Sequence, residues 1–294
     1  MVYQQRPIRS TVGPEPETSA VYGGQMGLDV VFTQAASAHR VPERPKRGHM
    51  NETLHGAIER LYQVFSSYPM PAHVEMSPYR HPDTELGALR TFPIRSVPAD
   101  GLEAYAGHAI TTVGDEKLLR YALPRLLELM ARRELITNQE IVMSKLELAG
   151  WRAWPEPERA AIEMFLDAWW MSVLDTPLEA NDWRAETALC ACAQANLSLA
   201  RFLQVWEARE DVTATDHLAS TVNALYYSER GEFVTTNFWD ARLEQGAQVR
   251  LWLARPDTLT RLEEGEQQAY KRDDEELLEN YEMALAALHI VLGA

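Results

Sequence analysis

His73 and His81 lie eight residues apart in a proline-rich stretch, and each is followed two positions later by an acid, Glu75 and Asp83. A loop can bring imidazoles and carboxylates together on a metal ion or on a substrate proton. The spacing matches no standard metal site, so both histidines read as exposed loop residues first and as ligands only second. Cys190 and Cys192 are the two cysteines of the chain, and thiolates are soft ligands for zinc or copper. On a helix, residues two apart point about 200° away from each other. Cys192 falls with Leu189, Asn196, Leu199 and Leu203 near an apolar stripe, which makes small buried packing residues the expectation for the pair. No metal and no cofactor is assigned to these four residues.

All eight tryptophans fall between Trp151 and Trp252. Large amphipathic rings dominate ligand cavities and binding surfaces as well as cores, and core is the expectation for most of these. Trp169 and Trp170 are neighbours on one helix and diverge by about 100°. Either a wide face is buried on two sides, or one ring stays at the surface. The second option makes Trp169 and Trp170 the candidate interaction site.

The remaining chemistry-bearing residues are less specific. His108 follows Tyr105 on a helix and reads as a semi-buried imidazole with a partner, while His217 and His289 carry no partner pattern. The acids from Glu263 to Glu282 lack the alternating ligands and the glycine of a calcium loop, and read as a solvated helix face. Among 43 acids no pair stands out for acid–base work. The chain has no glycine-rich phosphate loop, no helical histidine pair with glutamate, no Gly-x-Ser-x-Gly turn and no Cys-x-x-Cys pair. No catalytic residue is nominated, and a non-enzymatic protein is favoured over an enzyme.

Composition narrows the partners. The 28 basic and 43 acidic side chains leave a net charge of −15, and nucleic-acid affinity comes mainly from cations displacing counterions from phosphates. The expectation is therefore no nucleic acid and no membrane, with a protein partner, self-association or a small molecule left open. Two cysteines are too few for an oxidised framework, so a reducing cytoplasm is expected. No stretch approaches the roughly 20 apolar residues of a membrane span, and no export signal is legible.

These residues must be positioned by helices. Residues 1–49 hold five prolines, five glycines, no tryptophan and a net charge of +2, and read as a disordered or non-native N-terminal tail. Met50, followed at once by a helix start, offers a second place for translation to begin. From 50 to 294 the apolar residues recur at helical spacing, and a single all-α domain is expected. Helices are predicted over 51–67, 83–90, 100–112, 115–130, 137–150, 155–176, 184–209, 214–228, 237–254 and 257–291. The last is expected to divide at Gly265 or at Asp273-Asp274. A proline-rich connector spans 68–98. Asp100 to Glu103 and Thr137 to Glu140 have the spacing of capping boxes, and Pro124 should kink or restart its helix. Short loops favour antiparallel hairpins, stacked as an irregular bundle or as a HEAT-like superhelix. No repeat period is legible in the letters.

Thr112-Val113-Gly114-Asp115, Leu123-Pro124-Arg125-Leu126-Leu127-Glu128-Leu129, Lys145-Leu146, Ala149-Gly150-Trp151 and Trp154-Pro155 resemble an uncharacterised family of bacterial all-helical proteins, over about residues 51–210. Members carry a cysteine-rich element after the first helix. Here Pro69 to Pro82, with His73 and His81, takes its place. The resemblance implies a bacterial, cytosolic protein and assigns no activity.

Three functional readings follow. The first is a non-enzymatic helical protein that acts through protein–protein interaction. The second is a small-molecule-binding protein or enzyme with a pocket between helices near the tryptophans, and a cavity with convergent polar groups would favour it. The third is a bacterial defence or conflict component.

Overall fold

Asn51 has extended backbone, and its Oδ1 accepts the Leu54 N–H at 2.8 Å, so the first helix begins where a side chain satisfies a free donor. In the computed structural model this helix, α1 (Glu52–Phe65), buries Leu54, Ile58, Leu61, Tyr62 and Phe65. The structure describes residues 51–179, 182, 184–226 and 237–292. The tail expected over 1–49 and the ring of Trp183 lie outside them. Among the described residues there are α-helices, two 3₁₀ turns and no strand, so the chain is all-α.

The order continues with α2 (Pro82–Thr91), α3 (Ala99–His108), α4 (Glu116–Ala131), α5 (Gln139–Leu148), α6 (Glu156–Asp175) and α7 (Arg184–Gln194). Then come α8 (Ala200–Glu207), α9 (Val212–Leu225), α10 (Asn237–Asp240), α11 (Leu243–Leu253), α12 (Pro256–Arg272) and α13 (Glu275–Leu292). Two predicted helices are each divided. The segment 184–209 breaks at Asn196, whose φ is +57°, and 237–254 breaks before Leu243. The C-terminal division falls at Asp273, which ends α12 in the left-handed conformation at φ +59°. Gly265 is not a break; it lies inside α12.

Neither capping box forms. Asp100 is already inside α3, which begins at Ala99. Glu103 instead turns to the loop before α5, accepting the N–H groups of Ile136 at 2.9 Å and Thr137 at 2.5 Å. Thr137 Oγ1 also donates to Glu103, and Asn138 caps α5 without a side-chain bond. Pro124 does not restart its helix: α4 runs unbroken through it, with Pro124 buried. Asp115, where a helix is predicted to begin, caps α4 by accepting from the Lys117 and Leu118 N–H groups.

The proline-rich connector is folded against the body. Ser77 N–H donates to Thr112 O and Gly114 N–H to Glu75 O, both at 2.8 Å. Tyr68 Oη donates to buried Glu158 at 2.5 Å, and Arg120 Nε reaches the other Glu158 oxygen at 3.0 Å. The helices then pack as an irregular bundle: α1 lies on α6 and α4, α5 on α7, and α9 receives both α12 and α13. Pairings such as α1 with α6 skip several helices, which a nearest-neighbour stack of hairpins does not do. No described helix is long and apolar enough to cross a membrane.

Candidate functional site

Trp206 anchors the aromatic centre of the molecule. Its ring meets Trp170 edge-on at 5.3 Å and lies 5.2 Å from Trp252, and its indole N–H donates to Ala214 O at 2.8 Å. The carbonyl of Trp206, at the C-terminal end of α8, accepts from the Arg209 N–H and from Arg261 Nη1 of α12, both at 3.1 Å. Arg261 Nε donates to Thr215 Oγ1 of α9 at 2.9 Å. The third nitrogen, Nη2, is buried and has no hydrogen-bond partner among the described residues. A buried guanidinium nitrogen without an acceptor costs about 1–3 kcal/mol or more. Burial also pulls the Arg261 pKa below its ordinary value, the acids Asp211 and Glu210 opposing it.

This guanidinium lies on a cleft of about 480 Å³ between the α8–α9 corner and α12–α13, within the size range of small-molecule sites. Thr215, Gly265 and Tyr281 form its buried floor, while Glu210, Glu264 and Gln268 stand at an exposed mouth. Gly265 allows the floor to close: a Cβ there would come within 2.5 Å of the Tyr281 ring. Tyr281 Oη donates to Asp216 at 2.7 Å, and Arg272 Nη2 lies 3.4 Å from the same Asp216 oxygen. Burial raises the pKa of both Asp216 and Tyr281. The floor therefore offers polar groups already satisfied within the protein, under a mouth rich in carboxylates.

The residues nominated from the sequence are placed elsewhere. Trp169 and Trp170 are only 2% and 1% exposed, which corrects the expectation of a ring left at the surface. Trp169 stacks on Phe165, and the Trp170 indole N–H donates to Phe202 O at 3.0 Å. The wide face is buried on two sides because α6 is enclosed by α1, α7, α8 and α9. Cys190 and Cys192 are buried free thiols with pKa values pushed up by burial, Cys192 to about 12. His73 and His81 are exposed, and His81 only precedes α2. Among the described residues no group of three or more His, Cys, Asp or Glu converges to hold a metal. His108 has the partner expected of it: Nδ1 lies 2.9 Å and 3.0 Å from the two oxygens of buried Glu85. His217 is buried, with Nε2 bonded to Thr176 O at 2.8 Å, and burial lowers its pKa.

Sequence reasoning missed Arg261, Thr215 and Tyr281. One signal was present in Gly265, because an isolated glycine within a helix marks a close approach as readily as a break. Comparison with family models, with curated proteins and with solved structures finds no match for this chain.

Proposed function

We propose that the chain is a small-molecule-binding protein whose site is the cleft between α8–α9 and α12–α13. The observation that carries this reading is the cleft itself, about 480 Å³ and lined by Arg261, a side chain with one buried nitrogen that has no acceptor among the described residues. Its other two nitrogens are held by Trp206 O and Thr215 Oγ1, so the side chain that walls the cleft is fixed in advance of any ligand. The cleft adjoins the Trp170–Trp206–Trp252 cluster, where the second of the three readings put a pocket. We place the protein in a bacterial cytoplasm, a reading supported by its two buried free thiols and by the family resemblance.

The test is a thermal-shift screen of the full chain against small polar metabolites, repeated on Arg261→Gln and on a cleft-filling Thr260→Trp. Ligands that raise the melting temperature of the parent and lose that effect in both variants support the reading. A screen in which no compound shifts the parent, or in which every hit is indifferent to both variants, sinks it.

A protein-interaction role is a second reading, now without Trp169 and Trp170. It is supported by α13, whose outward residues Met283 and Ile290 are about half exposed and one heptad apart. Self-association through that face would make the mass seen by light scattering rise with concentration and fall back in Ile290→Lys. A constant monomer mass would remove it. A role in bacterial defence stays a proposal to be judged from neighbouring genes.

A further inference from the structure

His108 is held at both its backbone and its ring. Its carbonyl, at the end of α3, accepts from the N–H groups of Thr112 at 3.1 Å and Val113 at 3.2 Å and from Thr111 Oγ1 at 3.0 Å. The ring is fixed through Nδ1, which lies 2.9 Å and 3.0 Å from the two oxygens of Glu85, an α2 residue only 3% exposed. A carboxylate can only accept, so Nδ1 carries the proton and the lone pair stands on Nε2. Nε2 has no partner among the described residues and is not sealed in the interior, the side chain being 30% exposed. The protein thus presents to water one imidazole nitrogen with an open lone pair, on a ring that cannot turn away. The other described histidines differ. His55, His73 and His81 are exposed, with no ring hydrogen bond among the described residues, and His217 is buried with Nε2 taken by Thr176 O.

An open imidazole lone pair is a nucleophile, and its attack leaves positive charge on the ring. Glu85 lies where that charge develops, and a buried carboxylate on Nδ1–H stabilises an imidazolium while holding its orientation. Arg80 Nη1 lies 3.9 Å from the same Glu85 oxygen, with its side chain 33% exposed. Guanidinium groups pair well with phosphate oxygens. An electrophile that uses both neighbours has an electron-poor centre surrounded by anionic oxygens, as a phosphoryl group does. We infer that His108 Nε2 accepts a phosphoryl group from a phosphoramidate donor, with Glu85 holding the ring and Arg80 pairing with the phosphoryl oxygens. The Nε2 lone pair forms the new N–P bond, the donor's P–N bond breaks, and its electron pair leaves with the protonated donor nitrogen as a neutral amine. The positive charge gained by the ring rests on Nδ1–H against Glu85. This modification site is separate from the cleft and does not depend on the binding role proposed above.

The test treats the full chain with potassium phosphoramidate near pH 7. Peptide mass spectrometry locates the modified histidines, and phosphorus NMR separates Nε2 from Nδ1 products. At early times His108 is expected to be labelled at least tenfold faster than His55, His73 and His81, and at Nε2. Glu85→Gln should slow that labelling at least tenfold and divide it between the two nitrogens, because a neutral amide selects neither tautomer. Arg80→Gln should slow it with the choice of nitrogen unchanged. Labelling of His108 no faster than the three exposed histidines, or at Nδ1, overturns the inference. A Glu85→Gln protein that circular dichroism shows to be folded and that is labelled at the parental rate overturns it as well. If Glu85→Gln does not fold, the comparison of the four histidines within the parent decides, since it needs no variant.

Discussion

The indole N–H of Trp239 donates to Glu186 Oε1 across 2.6 Å inside the core, joining α10 to α7. Burial, reinforced by the nearby Glu140, raises the Glu186 pKa from 4.5 to about 7, and the Trp239 bond only partly offsets this. Glu140 is itself raised by burial. A carboxyl whose folded pKa lies above its unfolded value favours the fold while protonated. Its contribution is complete below about pH 4.5 and is lost as pH rises through about 7. Acids held low by ion pairs, such as Glu59 through Arg95, work in the opposite direction and only below that window. Glu186 is expected to lower stability between pH 5 and pH 8 by on the order of 3 kcal/mol, with buried His217, whose lowered pKa favours the fold as pH rises, opposing it in the acid half of that range. Glu186→Gln keeps the acceptor for Trp239 and should flatten the slope; a slope that persists unchanged in scanning calorimetry would assign it to other groups.

Gly265 and Tyr281 set the spacing of α12 and α13. A methyl group at 265 would lie 2.5–2.6 Å from two ring carbons and the hydroxyl of Tyr281, so the side chain must shift and its bond to Asp216 is strained. Alanine gains about 1 kcal/mol of helix propensity over glycine, yet Gly265→Ala is expected to lower stability by about 1–3 kcal/mol through overpacking. Urea denaturation measures this directly, and a stabilised variant would show that the two helices are free to separate.

Trp169 and Trp170 should behave as core residues. Trp170→Ala removes a ring packed on Phe202 and Trp206 together with its bond to Phe202 O, and a loss of about 3–5 kcal/mol is expected. Trp170→Phe removes the indole donor to Phe202 O but keeps a ring in the core, and should cost less. Iodide quenching of a variant retaining only these two tryptophans should remain weak until denaturant is added, and strong quenching in the native state would return them to the surface.

Tyr68 ties the proline-rich connector to the body through Glu158, which Arg120 also holds. Tyr68→Phe deletes one hydrogen bond to a charged group, about 1.5–3 kcal/mol. Limited proteolysis should then cut the variant within 69–81 faster than the parent. Equal rates would show that the backbone bonds from Ser77 and Gly114 suffice.

Cys190 and Cys192 are buried with raised pKa values, so little thiolate is available in the folded protein. Ellman's reagent is expected to label neither in native protein near pH 8 and both after denaturation. Rapid native labelling of either thiol would contradict its burial.

The sequence by itself determined what depends on neighbours along the chain. Apolar spacing placed α1, α4, α6 and α12, and Asn51 and Asp115 mark their helix starts because an Asx side chain reaches N–H groups only two or three residues away. What the tertiary structure decided depends on partners far along the chain. The helix predicted over 184–209 stops after Gln194 because its terminal carbonyls find donors elsewhere: Arg242 takes Gln194 O, Trp151 takes Ala195 O and Arg152 takes Asn196 O. Glu103 leaves its own helix end for the N–H groups of Ile136 and Thr137. The cleft was illegible for the same reason. Trp206, Thr215, Arg261 and Tyr281 come from four helices, and no local spacing records that the first two bind the guanidinium of the third beside the ring of the fourth.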